Sequence, residues 1–144
     1  MTDDETARSR RVVVELGERV AAGDDRAFDD LVAPGFVNHA AGPQGPDGFR
    51  STYRHLKHDL GDFSEELHHV VADGDLVAVH RTLRGRHLDS TMPLLSGVPV
   101  TDAEVSWTFM HLFRVADGQI VEHWACRDDL GLLQQVGAWP PPTP

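Results

Sequence analysis

Residues Asp117 to Gly137 read D-G-Q-I-V-E-H-W-A-C-R-D-D-L-G-L-L-Q-Q-V-G. Asp-Gly is a strong hairpin signal, because both residues tolerate the positive φ that a tight turn between twisted strands needs. A strand therefore follows Gly118. At a period of two, Ile120, Glu122, Trp124, Cys126 and Asp128 share one face, and Val121, His123, Ala125 and Arg127 share the other. The first set mixes a large aromatic, a thiol and carboxylates, which suits the wall of a pocket better than a dry core. The same residues also suit a plain C-terminal strand with Glu122 and Asp128 solvated at its ends. Beyond Asp128 the pattern changes to L-G-L-L-Q-Q-V, a short helical or irregular segment that closes the domain before Gly137.

Upstream of the turn, Glu104 to Val115 is the clearest strand. Val105, Trp107, Phe109, His111, Phe113 and Val115 alternate with Ser106, Thr108, Met110, Leu112 and Arg114. Leu76 to Arg84, introduced by Asp73-Gly74, is a second apolar-rich strand that runs on toward His87, and Glu65 to Val71 alternates weakly before it. Leu88 to Val100, with Pro93, Gly97 and Pro99, is a loop-rich crossover. The N-terminal third is helical. Val13, Leu16 and Val20 recur at helical spacing between Ala7 and Ala22, and Gly23 ends that helix. A shorter helix carries Ala27, Phe28, Leu31 and Val32, and Pro34-Gly35 is expected to stop it. Phe36 to Ala40 is a short strand with Asn38 and His39 on opposite faces. Asp47 is expected to cap a third helix, on which Phe49, Tyr53, Leu56 and Leu60 form an apolar stripe. Helices first and strands after make an α+β order. Residues 1–137 form a single domain, and 138–144 are a proline-rich tail that can continue neither a helix nor a sheet interior.

Composition excludes several classes. The chain of 144 residues carries a net charge of −10, so nucleic acid and anionic membrane are not expected partners. No run of eighteen apolar residues spans a bilayer. The N-terminus lacks an apolar secretory segment, which leads to the expectation of a cytoplasmic protein. Cys126, the single cysteine, excludes an internal disulfide, and a lone thiol on a strand reads as a small core residue. There is neither a Gly-rich phosphate loop nor a Gly-x-Ser-x-Gly elbow. His55 and His58 lie one helical turn apart with no third ligand placed nearby, and His68 and His69 on a strand point to opposite faces. No metal is expected, and no cofactor.

The chain resembles the SnoaL-like polyketide cyclases, also called predicted ester cyclases. The closing signature is G-Q-I-V-E-H-W followed, three residues later, by D-x-L-G-L-L-Q-Q-V-G. Other matches come in the family's order: Val37-Asn38-His39, Gly48-Phe49, Gly74-Asp75-Leu76-Val77-Ala78, Gly85-Arg86-His87, Pro99-Val100-Thr101 and Phe113-Arg114-Val115. The resemblance implies an NTF2-like cone, in which three N-terminal helices pack on a strongly curved antiparallel sheet around an apolar pocket. It also implies homodimers formed through the outer face of the sheet. Two positions depart from the family pattern, Asp102 where glycine is usual after Thr101 and Arg86 where threonine is usual after Gly85.

In the resembled cyclases an aspartate matching Asp128 is the acid–base residue of a cofactor-free intramolecular aldol closure. The resemblance thus implies acid–base ring closure, or a related isomerisation, of a small apolar polyketide-like carbonyl compound. Around Asp128 the candidate catalytic groups are His111 and His39. Candidate substrate-binding residues are Asn38, Tyr53, His87, Trp107, Phe109 and Trp124. Asn38 and His39 point oppositely, so one of them faces the pocket. His111 interrupts an apolar strand face and reads equally as a core histidine bonded to backbone. His80, His123 and Arg81 read as structural or interfacial. A hydrolase acting on an epoxide or ester through an Asp-activated water, and a non-catalytic carrier of small ligands, are the alternatives on the same fold.

Overall fold

The structure, a computed structural model, describes residues 3–40, 42–141 and 143. Helix α1 (Asp3–Ala21) buries Val13, Leu16 and Val20, the stripe expected from their spacing. It ends in a Schellman motif: Asp24 N–H donates to Arg19 O at 2.9 Å and Gly23 N–H to Val20 O at 3.0 Å. Gly23 takes the left-handed conformation (φ 83°) that this closure requires. Helix α2 (Ala27–Leu31) is followed at once by strand β1 (Val32–Asn38), so Pro34-Gly35 lies inside a strand instead of separating two elements. That is tolerated because β1 is an edge strand, where a missing N–H costs no ladder bond. Helix α3 (Gly45–Asp59) starts two residues before Asp47, with Gln44 at the N-cap. The Gln44 side chain instead clamps the backbone N–H and C=O of Asn38, at 2.7 and 2.9 Å.

Four longer strands complete the sheet: β2 (Leu60–Asp73), β3 (Leu76–His87), β4 (Glu104–Ala116) and β5 (Gln119–Arg127). Their order is β1-β5-β4-β3-β2, antiparallel except that β1 joins β5 in parallel. The β4–β5 hairpin turns at Asp117-Gly118 with φ of 51° and 75°, as the dipeptide predicts. Helix α4 (Asp129–Gln135) closes the chain. Among the described residues no helix is long and apolar enough to cross a membrane.

Two bulges decide which side chains face inward. On β5, Ile120 pairs with Val115 and Glu122 with Arg114, so Val121 is an extra residue. Alternation therefore breaks at Val121. Ile120 points inward, but beyond it the inward set is His123, Ala125 and Arg127, while Glu122, Trp124 and Cys126 face outward. On β2, Leu67 pairs with Arg81 and His69 with His80, so His68 is the extra residue. Both His68 and His69 then meet His80, with ring centroids 4.7 and 5.3 Å away, which corrects their expected placement on opposite faces.

The concave side of the sheet holds two apolar clusters. One joins α1 and α2 to Phe36, Val77, Val79, Phe113, Val115 and Ile120. The other joins Leu56 and Leu60 to Trp107, Leu95, Leu132 and Val136, under the crossover segment and α4. Each fully buried large side chain contributes about 1.5–3 kcal/mol.

Candidate functional site

Between α1, α3 and the concave sheet lies a cavity of about 860 Å³, its open mouth included. Its wall is mostly apolar, with Leu16, Phe28, Phe49, Phe109 and Phe113 among the lining residues. The polar side chains that line it are Asn38, Thr52, Tyr53, Glu65, Arg81, His111, His123 and Arg127. Few polar groups in an apolar wall is the composition of a small-molecule site.

The histidines form a directed chain. Ala40 N–H donates to Asn38 Oδ1 at 3.0 Å, which identifies that atom as the acceptor end of the amide. His123 Nδ1, 2.9 Å from the same oxygen, must therefore carry a proton and donate. A neutral His123 then has a bare Nε2, and His111 Nδ1, 2.8 Å away, donates to it. His111 is left with a bare Nε2, and no hydrogen-bond partner among the described residues falls on it. Both rings are neutral. Burial, together with the positive charges of Arg81 and Arg127, pushes His123 down to about 4 and His111 well below the ordinary histidine range. His123 stacks on Phe113 at 4.8 Å and on Phe49 at 5.7 Å, and His111 lies between Phe109 and Phe113, so neither ring has room to turn freely.

The one carboxylate in the lining is fully engaged. Glu65 accepts from Tyr53 Oη on one oxygen and from Arg81 Nη1, at 2.9 Å, on the other. Burial and the Glu65 charge raise the Tyr53 phenol far above its ordinary value, so it is a donor and not an anion. A base in this cavity is a histidine nitrogen.

Of the residues singled out from sequence, His111, Asn38, Tyr53 and Phe109 line the cavity. The other five lie elsewhere. Asp128 is exposed, and its carboxylate accepts from Gly131 N–H at 3.0 Å as the N-cap of α4. Trp124 stands on the outer face, stacked on His39 at 4.8 Å, and His39 bonds Glu122 at 2.8 Å. The bulge at Val121 accounts for this reversal of β5, and the pairing of Asn38 with His123 sends Asn38 inward and His39 out. His87 is fully buried away from the cavity, between Thr101 Oγ1 at 3.0 Å and Ser90 Oγ at 2.8 Å. Trp107 is buried in the second cluster, with its Nε1–H on Asp129 at 3.2 Å. Cys126, read as a core residue, is exposed. Thr52, Glu65, Arg81, His123 and Arg127 are the polar lining residues that the sequence reading did not place in the site. A usable signal existed for Arg81: it continues the inward series Val77, Val79, Leu83 at a period of two.

Among the described residues, one group of side chains has metal-ligand spacing, His58, Asp59 and Asp89. Both Asp59 oxygens are already taken, by Thr91 Oγ1 at 2.6 Å and Met92 N–H at 2.7 Å. His58 and Asp89 pair with each other at 2.8 Å.

Comparison with known proteins agrees with this architecture. A family model described as SnoaL-like polyketide cyclase matches residues 11–136. The chain is 34% identical to the aklanonic acid methyl ester cyclase DnrD of Streptomyces peucetius, over 78% of this chain and 77% of that one. It is 31% identical to the nogalonic acid methyl ester cyclase of Streptomyces nogalater, over 81% of this chain and 85% of that one. Among solved structures, TsrD from Streptomyces laurentii superposes with a TM-score of 0.77 at 29% identity, covering 90% of this chain and 97% of that one.

Proposed function

The chain belongs to the SnoaL-like polyketide cyclase family, and we propose that it closes a ring in a polyketide-type carbonyl substrate with His111 as the acid–base residue. The observation that carries this reading is the bare Nε2 of His111 at the cavity wall, its tautomer set by the chain through His123 to Asn38. The relatives named above support the substrate class: by name they are an aklanonic acid methyl ester cyclase and a nogalonic acid methyl ester cyclase, and the matching family model is described as a polyketide cyclase.

The reaction balances without a cofactor. His111 Nε2 takes a proton from the carbon between two carbonyls, and the electron pair is delocalised over their oxygens. The carbanion carbon then forms a C–C bond to another carbonyl carbon of the same molecule. That C=O opens to an alkoxide, which takes the proton back from the His111 imidazolium. No atom is lost and nothing is oxidised or reduced. The depressed basicity of His111 has two consequences. The nitrogen is unprotonated at neutral pH, and the imidazolium once formed is a strong acid toward the alkoxide. The Nδ1–H to His123 contact keeps Nε2 aimed at the substrate through both transfers, and the apolar wall folds the flexible chain so that its reacting carbons meet.

On this reading the protein works in the cytoplasm as a homodimer. Helices α1–α3 lie on the concave side, and the outer face carries the exposed apolar side chains Met110 and Val71. Light scattering that returns only monomer at micromolar concentration would remove the dimer. The function is tested by His111→Gln, assayed on a linear polyketide keto ester by the absorbance of the ring product. Turnover should fall about 10²–10⁴-fold, the usual worth of a positioned proton-transfer group. Substrate binding and melting temperature should stay near the parent values. A variant that folds and retains turnover within a few-fold sinks the reading.

A further inference from the structure

The cavity under α1 has a neighbour. A second one, of about 650 Å³ with its open mouth included, lies between α1 and β2, and Val13, Gly17, Glu65 and Arg81 line both. Helix α1 is tied down near its N-terminus, where Arg10 Nη1 donates to Val70 O at 2.9 Å and Thr6 Oγ1 accepts from Gly74 N–H at 2.9 Å. Beyond those ties the second cavity is walled by Val14, Gly17 and Ala21 from the helix and by Leu67, Val70 and Val79 from the sheet. Leu67 and Val70, three positions apart, share its wall because the bulge at His68 shifts the alternation between them. Gly17 stands where the two cavities meet. It lies inside α1, where glycine is less favourable than alanine because its backbone loses more freedom on folding. Its φ is not in the left-handed region, and a Cβ built on it would meet nothing within 4 Å. Neither the backbone nor the packing therefore demands glycine here. A side chain at this position would instead fill the space between the two cavities, which the glycine keeps open.

The two walls differ in kind. The first cavity offers the rings of Phe28, Phe49, Phe109 and Phe113, which suit a flat conjugated system. The lining of the second, among the described residues, is aliphatic and holds no aromatic ring. At the junction Arg81 and Glu65 pair at 2.9 Å and cancel each other's charge, so the passage makes no demand for a charged ligand, and the Arg81 stem adds methylenes to its side. Leu67, 55% exposed, is an apolar side chain left for a ligand to cover. We propose that the second cavity takes an aliphatic chain of the substrate, threaded past Gly17, while the conjugated carbonyl part lies in the aromatic cavity beside His111. Gly17 then sets the length of chain the protein accepts. This rests on the first cavity being the substrate site. It adds a dependence on chain length that the His111 reading does not contain, and it fits a neutral ester as well as any other carbonyl head group.

A matched pair of neutral fluorescent probes tests the passage without any turnover: 6-acetyl- and 6-hexanoyl-2-(dimethylamino)naphthalene, which share one aromatic ketone head and differ in alkyl length. Each methylene buried is worth about fourfold in affinity, so the hexanoyl probe should bind at least about thirtyfold more tightly than the acetyl one. Gly17→Leu fills the junction. It should bring the hexanoyl affinity down to within a few-fold of the acetyl value and leave acetyl binding near the parent's. Its melting temperature should match or exceed the parent's, because leucine is the better helix former, so the loss is not a loss of fold. Gly17→Ala should also melt higher and should keep most of the long-chain preference, since one methyl leaves the passage open. Leu67→Thr, on the opposite wall, tests the site independently of the helix and should reduce the hexanoyl preference several-fold. Equal binding of the two probes by the parent, binding of neither, or a preference that survives both Gly17→Leu and Leu67→Thr overturns the proposal. The two readings fail separately. His111→Gln should keep the long-chain preference while losing turnover, and a parent protein that cyclises keto esters but shows no long-chain preference leaves His111 standing and removes this inference.

Discussion

The protein buries two polar networks, and they are built on opposite terms. Beneath the crossover segment, Asp59 and His87 are both fully inaccessible, and every polar atom of their side chains has a partner. Asp59 accepts from the Thr91 Oγ1 hydroxyl and from Met92 N–H; His87 lies between Thr101 and Ser90, and Ser90 Oγ–H donates to Val98 O at 2.7 Å. At the cavity, the chain from Asn38 through His123 stops at a bare His111 nitrogen, and Arg81 Nε has no acceptor among the described residues. A closed network holds a loop in place. An open one keeps hydrogen-bonding capacity for a visitor, and the fold tolerates the cost because the surrounding apolar packing over-determines the geometry.

The closed network is most sensitive at Asp59. Asp59→Ala strands the Thr91 hydroxyl and the Met92 N–H in the core and releases the crossover segment. It should cost about 3–5 kcal/mol in urea unfolding, while turnover per folded molecule stays near the parent value. A loss of turnover without a loss of stability would place the closed network in the chemistry and dissolve the distinction.

Acid should attack the open network sooner. The folded His123 titrates near 4 and His111 is also depressed, while both take up protons near 6.5 when unfolded. As pH falls below 6.5 the unfolded chain binds protons that the native state refuses, so stability drops until the folded values are reached. The window is therefore about 6.5 down to about 4, with no contribution above it. At pH 5 the loss from His123 alone is about 2 kcal/mol, and His111 adds to it in the same direction. Glu122 and Asp89, whose carboxyls are held below their usual range by hydrogen bonds, act only further down. Urea midpoints at pH 7 and pH 5 check this. A flat profile would mean that the histidines are not buried neutral.

How much of this was legible depended on parity. The β4 face, the Asp117-Gly118 turn and the α1 stripe follow from periods that the chain keeps without interruption, and they suffice for the α+β order. The site depends on two strands that lose count. Val121 is one more valine in an apolar run, and nothing in I-V-E-H-W marks it as the residue that drops out of register. Yet it exchanges Trp124 and Asp128 for His123 and Arg127 as neighbours of the cavity. His68 hides the same way inside L-H-H-V. Asn38 and His39 could not be separated from one short strand, because the choice is made by a parallel partner on β5 some eighty residues away. Arg81 is visible as a period-two position, but its period does not distinguish a structural or interfacial arginine from one that lines a cavity; that depends on Glu65 and the cavity beside it.

The smallest expected effect lies at Asp128. Its carboxylate is exposed and caps α4, and the cap depends on Gly131: a Cβ there would come within 2.3 Å of Asp128 Oδ2. Helix α4 in turn carries Leu132, fully buried against the second cluster. Removing the cap by Asp128→Ala should therefore loosen the closing helix, at about 1 kcal/mol or a melting temperature lower by about 3 °C. Asp128→Asn should cost less still, because an asparagine side chain caps nearly as well. Both variants should turn over substrate within about twofold of the parent, since no bond joins Asp128 to the cavity chain. The measurement with teeth is Asp128→Asn, which keeps the cap and the shape and removes only the ionisable group. A hundredfold loss of turnover in a normally stable Asp128→Asn protein would mean that α4 swings its N-terminus into the cavity during the reaction. His111 would then share the proton transfers with a carboxylate from outside the resting site, and an open network could no longer be recognised by its own unpaired atoms.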